Sequence, residues 1–171
     1  MRTVIIITII FQAYYGHAQN ENENFNQQMQ DLSFMVGSWK GTGWIINQGG
    51  VKSEFNQNEE IYYDLNGSVL VARGTGKNTD GKVIHDALGI ISYQLQTNEY
   101  KMNAFLANGM KTEASLEIIG DGKLKWWFET GNGSTIRYTS NIKDGIWTEK
   151  GEYSPDNEAW YPFMQFSLSM K

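Results

Sequence analysis

The stretch Gly37-Ser38-Trp39-Lys40-Gly41-Thr42-Gly43 opens a long run of short segments, each separated from the next by a turn signal. Asn, Asp and Gly at such signals tolerate the positive φ that two-residue hairpin turns require. Nine signals follow the stretch: Asn47-Gln48-Gly49-Gly50, Asn66-Gly67, Asp80-Gly81, Thr97-Asn98, Asn108-Gly109, Asp121-Gly122, Asn132-Gly133, Asp144-Gly145 and Asp156-Asn157. Nine turns separate ten strands, and consecutive hairpins favour closure because a closed sheet has no unpaired edge. The sequence therefore predicts an all-β fold, a single antiparallel up-and-down β-barrel of about ten strands.

Apolar and polar residues alternate in the later segments, which indicates which side of each strand faces the barrel interior. Trp126 lies on the apolar face of residues 123–129, and Tyr138 lies on that of residues 136–142. Trp44 and Trp127 fall on the opposite, outer face. Before the first strand, the apolar residues of segment 29–36 predict a short N-terminal helical turn that plugs one end of the barrel.

The first residues have the composition of a signal peptide. Arg2 is followed by an apolar run from Val4 to Phe11, and small residues precede Gln19. The run is about half the ~20 residues that a membrane-spanning helix needs, so cleavage after Ala18 is favoured over a retained anchor. We therefore expect residues 1–18 to be a signal peptide, residues 19–30 a flexible tether and residues 31–171 the barrel domain, exported to the periplasm or the extracellular space, with no membrane insertion after cleavage.

Charge and cysteine content exclude several classes of function. Loss of Arg2 with the signal peptide leaves 13 of the 14 basic residues against 19 acidic ones. Because a phosphate-binding surface needs clustered Lys and Arg, nucleic acid is an unexpected partner for this acidic chain. The absence of cysteine excludes disulfides, thiolate zinc sites and a cysteine nucleophile. No spaced cluster of metal ligands occurs, and we predict no metal and no cofactor.

Several motifs carry a resemblance to known barrel proteins. Residues 37–43 resemble the Gly-x-Trp start of the calycin superfamily, in which a tryptophan on the first strand closes the base of the barrel. Together with residues 64–70, 87–93 and 147–160, they are similar to the DUF1579 family. The resemblance implies a lipocalin-like barrel of uncharacterised function. It also implies a structural motif made by Gly37, Trp39, Gly41 and Gly43.

A haem cofactor is a further implication that the sequence does not support. Nitrobindin-like haem barrels share a similar Trp-x-Gly-x-Gly opening and hold their haem with a histidine near the C-terminal strands. Residues 145–171 contain no histidine, and His85 is the only one after the signal peptide. His85 is next to Asp86, but adjacent strand residues point to opposite faces, so Asp86 cannot orient it. We expect His85 to be a partly exposed residue at a strand end.

Glu59 and Arg73 are the candidate polar groups of the interior. Glu59 shares the parity of Phe55 and Ile61, and a desolvated carboxyl would have a raised pKa and could bind a ligand donor or act as an acid. Arg73 follows Val71 at a spacing of two, which predicts that it also points inward, to pair with Glu59 or with an acidic ligand. Purely structural roles for both are the alternative. The predicted ligand contacts are Glu59, Arg73, Tyr93, Met102, Trp126 and Tyr138.

Three functions remain in competition. The first is a secreted barrel that binds a small hydrophobic ligand, because ten strands enclose more volume than eight. The second is a barrel filled by its own side chains that serves as an interaction module through Trp44 and Trp127. The third, and least favoured, is an enzyme that uses an internal Glu59, Tyr93 or His85. The sequence identifies neither a ligand nor a protein partner.

Overall fold

Ten antiparallel strands form a closed barrel in the computed structural model, which describes residues 27–47 and 49–171. Each strand pairs with the next along the chain, and the last pairs with the first. The predicted all-β, up-and-down barrel is therefore confirmed. The strands are β1 (Gly37–Ile46), β2 (Lys52–Asp64), β3 (Val69–Asn78), β4 (Val83–Gln94), β5 (Glu99–Leu106), β6 (Lys111–Gly120), β7 (Lys123–Glu129), β8 (Thr135–Lys143), β9 (Ile146–Ser154) and β10 (Tyr161–Met170).

The nine predicted turn signals all lie between consecutive strands. Asn66, Asn98 and Asp144 have φ of 57°, 55° and 53°, the left-handed conformation that Asn and Asp tolerate better than other non-glycine residues. Leu65–Gly67 forms a 3-10 turn between β2 and β3. Local turn chemistry thus determines the number of strands and their sequential pairing.

Two glycines of the opening stretch make the seam where β1 meets β10. Gly41 pairs with Leu168 and Gly43 with Phe166. A Cβ at position 41 would lie 2.0 Å from the backbone oxygen of Ser167, and one at position 43 would lie 2.7 Å from Cβ of Phe166. Contacts below 3 Å do not fit, so the close approach that shuts the barrel depends on the absence of a side chain at both positions.

A short N-terminal segment closes one end of the barrel. Residues 27–30 are helical, Ser33–Met35 forms a 3-10 turn, and Met29 and Leu32 are fully buried. Trp39, also fully buried, donates a hydrogen bond from Nε1 to the carbonyl oxygen of Met35 at 2.9 Å. The predicted N-terminal helical turn is confirmed, and the buried Trp39 packs against it at this end of the barrel.

Ordered packing begins earlier than the predicted domain boundary at residue 31. Hydroxyl groups from the barrel wall bind the helical residues: Tyr63 donates to the carbonyl of Met29 at 2.7 Å, and Tyr100 donates to that of Gln28 at 2.6 Å. The last residues of the predicted tether therefore belong to the barrel domain. The predicted signal peptide and residues 19–26 lie outside the described residues. Within residues 27–47 and 49–171, no helix has the length and apolar character needed to cross a bilayer.

Candidate functional site

The barrel encloses a cavity of about 360 Å³ above the plug. One side of the cavity is lined by residues with little or no side chain, which leave the space open: Ala72, Gly74, Ala87, Gly89 and Ala104. The other side is lined by aromatic rings: Phe55, Trp126, Phe128, Tyr138, Trp147, Phe163 and Phe166. A cavity of this size falls within the range of small-molecule sites. The hypothesis of a barrel filled by its own rings is therefore wrong.

The aromatic side forms a continuous stack of rings. Trp126 and Tyr138, register partners on β7 and β8, are nearly parallel, with ring centroids 3.8 Å apart and planes 9° from each other. Phe163 meets Tyr138 edge to face at 5.8 Å. Phe163 and Met164 both line the cavity because β10 has an irregular register between Pro162 and Met164. The geometry of this wall suits packing against a flat apolar molecule.

Glu59 projects into the cavity from β2, as the alternation predicts. Its Oε1 accepts a hydrogen bond from Nε2 of the buried Gln57 at 2.6 Å. Gly74 lies across from Glu59 in the β2–β3 ladder, so no side chain competes with the carboxyl group for space. Burial raises the pKa of Glu59 to about 7, the hydrogen bond from Gln57 opposes this rise, and repulsion from Glu149 adds to it.

Glu149 contributes a second carboxyl group to the same cavity, although it is not among the ligand contacts predicted from the sequence. Its Oε2 accepts a hydrogen bond from Oγ of Ser140 at 2.5 Å and a longer one from Nε1 of Trp126 at 3.5 Å. Burial raises its pKa to about 7, although both hydrogen bonds act in the opposite direction. The parity of Trp147 on β9 could have identified it, since residues two apart share a face.

The rest of the lining is neutral near pH 7. Burial, followed by the nearby charge of Glu149, raises the pKa of Tyr138 above that of an exposed tyrosine. His85 lines the mouth; burial lowers its pKa, against the opposing effect of Asp86. The lining contains no lysine or arginine in the part of the chain that the structure describes. Two carboxyl groups therefore share an apolar cavity without a permanent cation.

Four of the six predicted ligand contacts meet in the cavity, and Arg73 does not. Glu59, Met102, Trp126 and Tyr138 all line it. The Arg73 side chain is half exposed on the outer face of β3, with Nη2 2.7 Å from Oδ1 of Asp86. The prediction that Arg73 points inward is wrong, because the inward residues of β3 in this region are Ala72 and Gly74.

Tyr93 has the inward parity but lies below the cavity, near the plugged end. Its ring meets that of Tyr100 at 5.0 Å, and its hydroxyl lies 3.3 Å from Oδ1 of Asn98. It lines a separate, more open groove with Phe34 and Trp127. Tyr93 is therefore not part of the cavity lining.

Two tryptophans lie on the outside, as predicted. Lys52 Nζ lies 4.2 Å from the ring centroid of Trp44, and Lys125 Nζ lies 4.7 Å from that of Trp127. One lysine ammonium thus lies within cation–π distance of each ring. No group of three or more potential metal-ligating His, Cys, Asp or Glu residues occurs among residues 27–47 and 49–171.

Two solved structures share this fold at low sequence identity. No protein-family model and no curated protein matches the chain. The Rv2717c protein of M. tuberculosis superposes with a TM-score of 0.63 at 12% identity, over 84% of this chain and 96% of that one. The S-type phycobiliprotein lyase CPES of Guillardia theta gives 0.58 at 10% identity, over 82% and 89%. The lipocalin-like barrel is thereby confirmed, while membership of the DUF1579 family stays a prediction.

Proposed function

We propose that the protein binds a small, mainly apolar molecule in the barrel interior. The observation that supports this proposal is the cavity of about 360 Å³, kept open by alanines and glycines on one side and faced by stacked rings on the other. Protein interiors are normally close-packed, and a large void loses the contacts that its lining could make. A bound molecule would restore those contacts.

The proposal also concerns the location of the protein. The signal-like composition of residues 1–18 supports an exported binding protein of the periplasm or extracellular space. Likeness of fold adds no activity, because one barrel hosts unrelated functions and one of the structural neighbours is named a lyase.

Binding is tested with a neutral apolar dye, N-phenyl-1-naphthylamine, which fluoresces on leaving water. Ala104→Phe fills the open side of the cavity, while Asn103→Phe adds the same ring on the outer face of β5, where the strand alternation directs it. We expect the wild type and Asn103→Phe to bind the dye, and Ala104→Phe to bind at least tenfold more weakly.

A second filling variant guards against a folding defect. Ala87→Leu adds less volume than Ala104→Phe does. It should weaken binding of the dye while keeping the thermal unfolding transition of the wild type. Equal dye binding by the wild type and both filling variants would show that the dye binds elsewhere. Absence of binding to the wild type would contradict the proposed function.

A further inference from the structure

We propose that the cavity selects an aromatic molecule that carries a basic nitrogen, held as a cation between Glu59 and Glu149. This inference rests on the proposed function, since it names the chemical class of the ligand. It depends on three features of the cavity: unused carboxylate oxygens, the absence of a cationic side chain, and an aromatic wall beside the carboxyl groups.

Each carboxyl group keeps one oxygen for a ligand. Gln57 donates to Oε1 of Glu59, and both Ser140 and Trp126 donate to Oε2 of Glu149. The hydrogen bonds of the described residues leave Glu59 Oε2 and Glu149 Oε1 without a donor. Neither oxygen is among the fully enclosed atoms that lack a partner, so both are open to the cavity. These two oxygens can accept the N–H groups of an ammonium or amidinium ion.

The charge balance favours a cation over other ligands. Buried charges are costly unless they are paired, and the described lining offers no lysine or arginine as a partner. An anionic ligand would add a third acidic group to Glu59 and Glu149. A neutral hydrocarbon would leave both carboxyl groups unpaired. A cation supplies the missing charge, and the pair is largely removed from solvent, so its attraction is only weakly screened.

The aromatic wall lies next to the acidic pair. The Nε1 atom of Trp126 is 3.5 Å from Oε2 of Glu149, and the ring of Tyr138 stacks on that of Trp126. A cation bound to Glu149 would thus lie near two π systems, which attract cations, while its own ring packs on the wall. The cavity combines recognition of a flat ring with recognition of a positive charge.

Binding should be linked to proton release. The pKa values of Glu59 and Glu149 are raised to about 7, so either carboxyl can be protonated in the empty protein at slightly acidic pH. A cation favours the ionised form and displaces a proton. The other titratable groups that face the pair are Tyr138, whose pKa is raised, and His85, whose pKa is lowered, so both are neutral near pH 7. Affinity for the cation should fall as the pH drops below 7.

The test compares two probes with the same ring and nearly the same shape. These are 2-naphthalenemethylamine, a cation at pH 8, and the neutral 2-naphthalenemethanol. Calorimetry on the wild type at pH 8 should show at least tenfold tighter binding of the amine. Between pH 7 and pH 6 this preference should shrink up to tenfold, the limit for one proton released.

Variants separate the carboxyl pair from the cavity itself. Glu59→Gln and Glu149→Gln keep the shape of the side chain, and each should abolish most of the preference for the amine while leaving alcohol binding intact. Glu117→Gln, on the outer face beside Lys125, should behave as the wild type. Equal affinity of the wild type for amine and alcohol would overturn this inference alone. Failure of both probes and of N-phenyl-1-naphthylamine would overturn the proposed function as well.

Discussion

Gly74 lies directly across from Glu59, and a Cβ on Gly74 would come within 2.6 Å of Glu59 Oε1. The carboxyl group occupies the space that a side chain on β3 would otherwise take. The position of the buried acid therefore depends on a glycine of the neighbouring strand as much as on Glu59 itself.

Gly74→Ala should displace the Glu59 carboxyl group. The added methyl group cannot share the space, so the 2.6 Å hydrogen bond from Gln57 should lengthen or break. The side-chain amide resonances of Gln57 report this change in an NMR spectrum. In Gly131→Ala the new Cβ meets no atom within 4 Å, and these resonances should not move. Unchanged Gln57 signals in Gly74→Ala would contradict the prediction.

Stability should fall as the pH rises from 5 to 8. The pKa values of Glu59 and Glu149 are raised from 4.5 to about 7 in the folded state, so the folded protein binds protons more tightly than the unfolded chain within this interval. The stabilisation is fully present below pH 4.5 and is lost through pH 7. A pKa shift of this size corresponds to about 3 kcal/mol of unfolding free energy for one carboxyl group. The contributions of Glu59 and Glu149 are coupled and do not simply add.

Urea unfolding of Glu149→Gln isolates this effect. The variant lacks one buried acid and should be more stable than the wild type at pH 8, with a smaller difference at pH 5. Glu117→Gln, exposed on β6, should follow the wild-type profile. A Glu149→Gln protein that loses stability at pH 8 would show that the ionised carboxylate stabilises the fold.

Trp39→Phe should loosen the plug. The change removes the Nε1 hydrogen bond to the Met35 carbonyl and the edge contact with Trp147 at 5.8 Å. Loss of a buried hydrogen bond and of packed volume should cost about 2 kcal/mol of unfolding free energy, measured in urea. Trp44→Phe, on the outer face, is the matched control and should cost well under 1 kcal/mol. Equal losses in the two variants would argue against a special role for Trp39.

Gly41→Ala should open the seam between β1 and β10. A methyl group 2.0 Å from the backbone oxygen of Ser167 forces the two strands apart, and overpacking of this kind costs about 1–3 kcal/mol. Amide hydrogen exchange in these two strands should accelerate relative to β5 and β6, on the far side of the barrel. Gly131→Ala again serves as the control. If amide exchange in Gly41→Ala were equally fast in all strands, the prediction that close packing of β1 against β10 depends on Gly41 would be wrong.

The turns were readable from the sequence because their chemistry is local. Asn, Asp and Gly at the nine signals determine strand number without any knowledge of packing. Strand parity also predicted the inward direction of Glu59, Trp126 and Tyr138. These predictions depend on neighbouring residues along one chain segment, which is the information that a single sequence contains.

The predictions for Arg73 and Tyr93 were wrong because they depend on how the side chains around the cavity pack. Apolar alternation predicts a face that is filled by large side chains, whereas one side of this cavity is lined by alanines and glycines. On β3 the interior face carries Ala72 and Gly74, and the more apolar Val71 lies on the outer face. Parity with Val71 therefore predicts the wrong direction for Arg73. For Tyr93, parity gave the correct face, but not the height along the barrel axis, which only the packing against Tyr100 reveals.

The plug of residues 27–35 gives the barrel one blind end. A molecule that entered at the rim near His85 would have to leave by the same route, because Met29, Leu32 and Trp39 block passage straight through. Lengthening a rim loop such as residues 155–160 would then slow arrival and departure by the same factor. The residence time would change while the dissociation constant stayed constant, so the length of the rim loop would set the binding kinetics and the cavity lining would set the affinity.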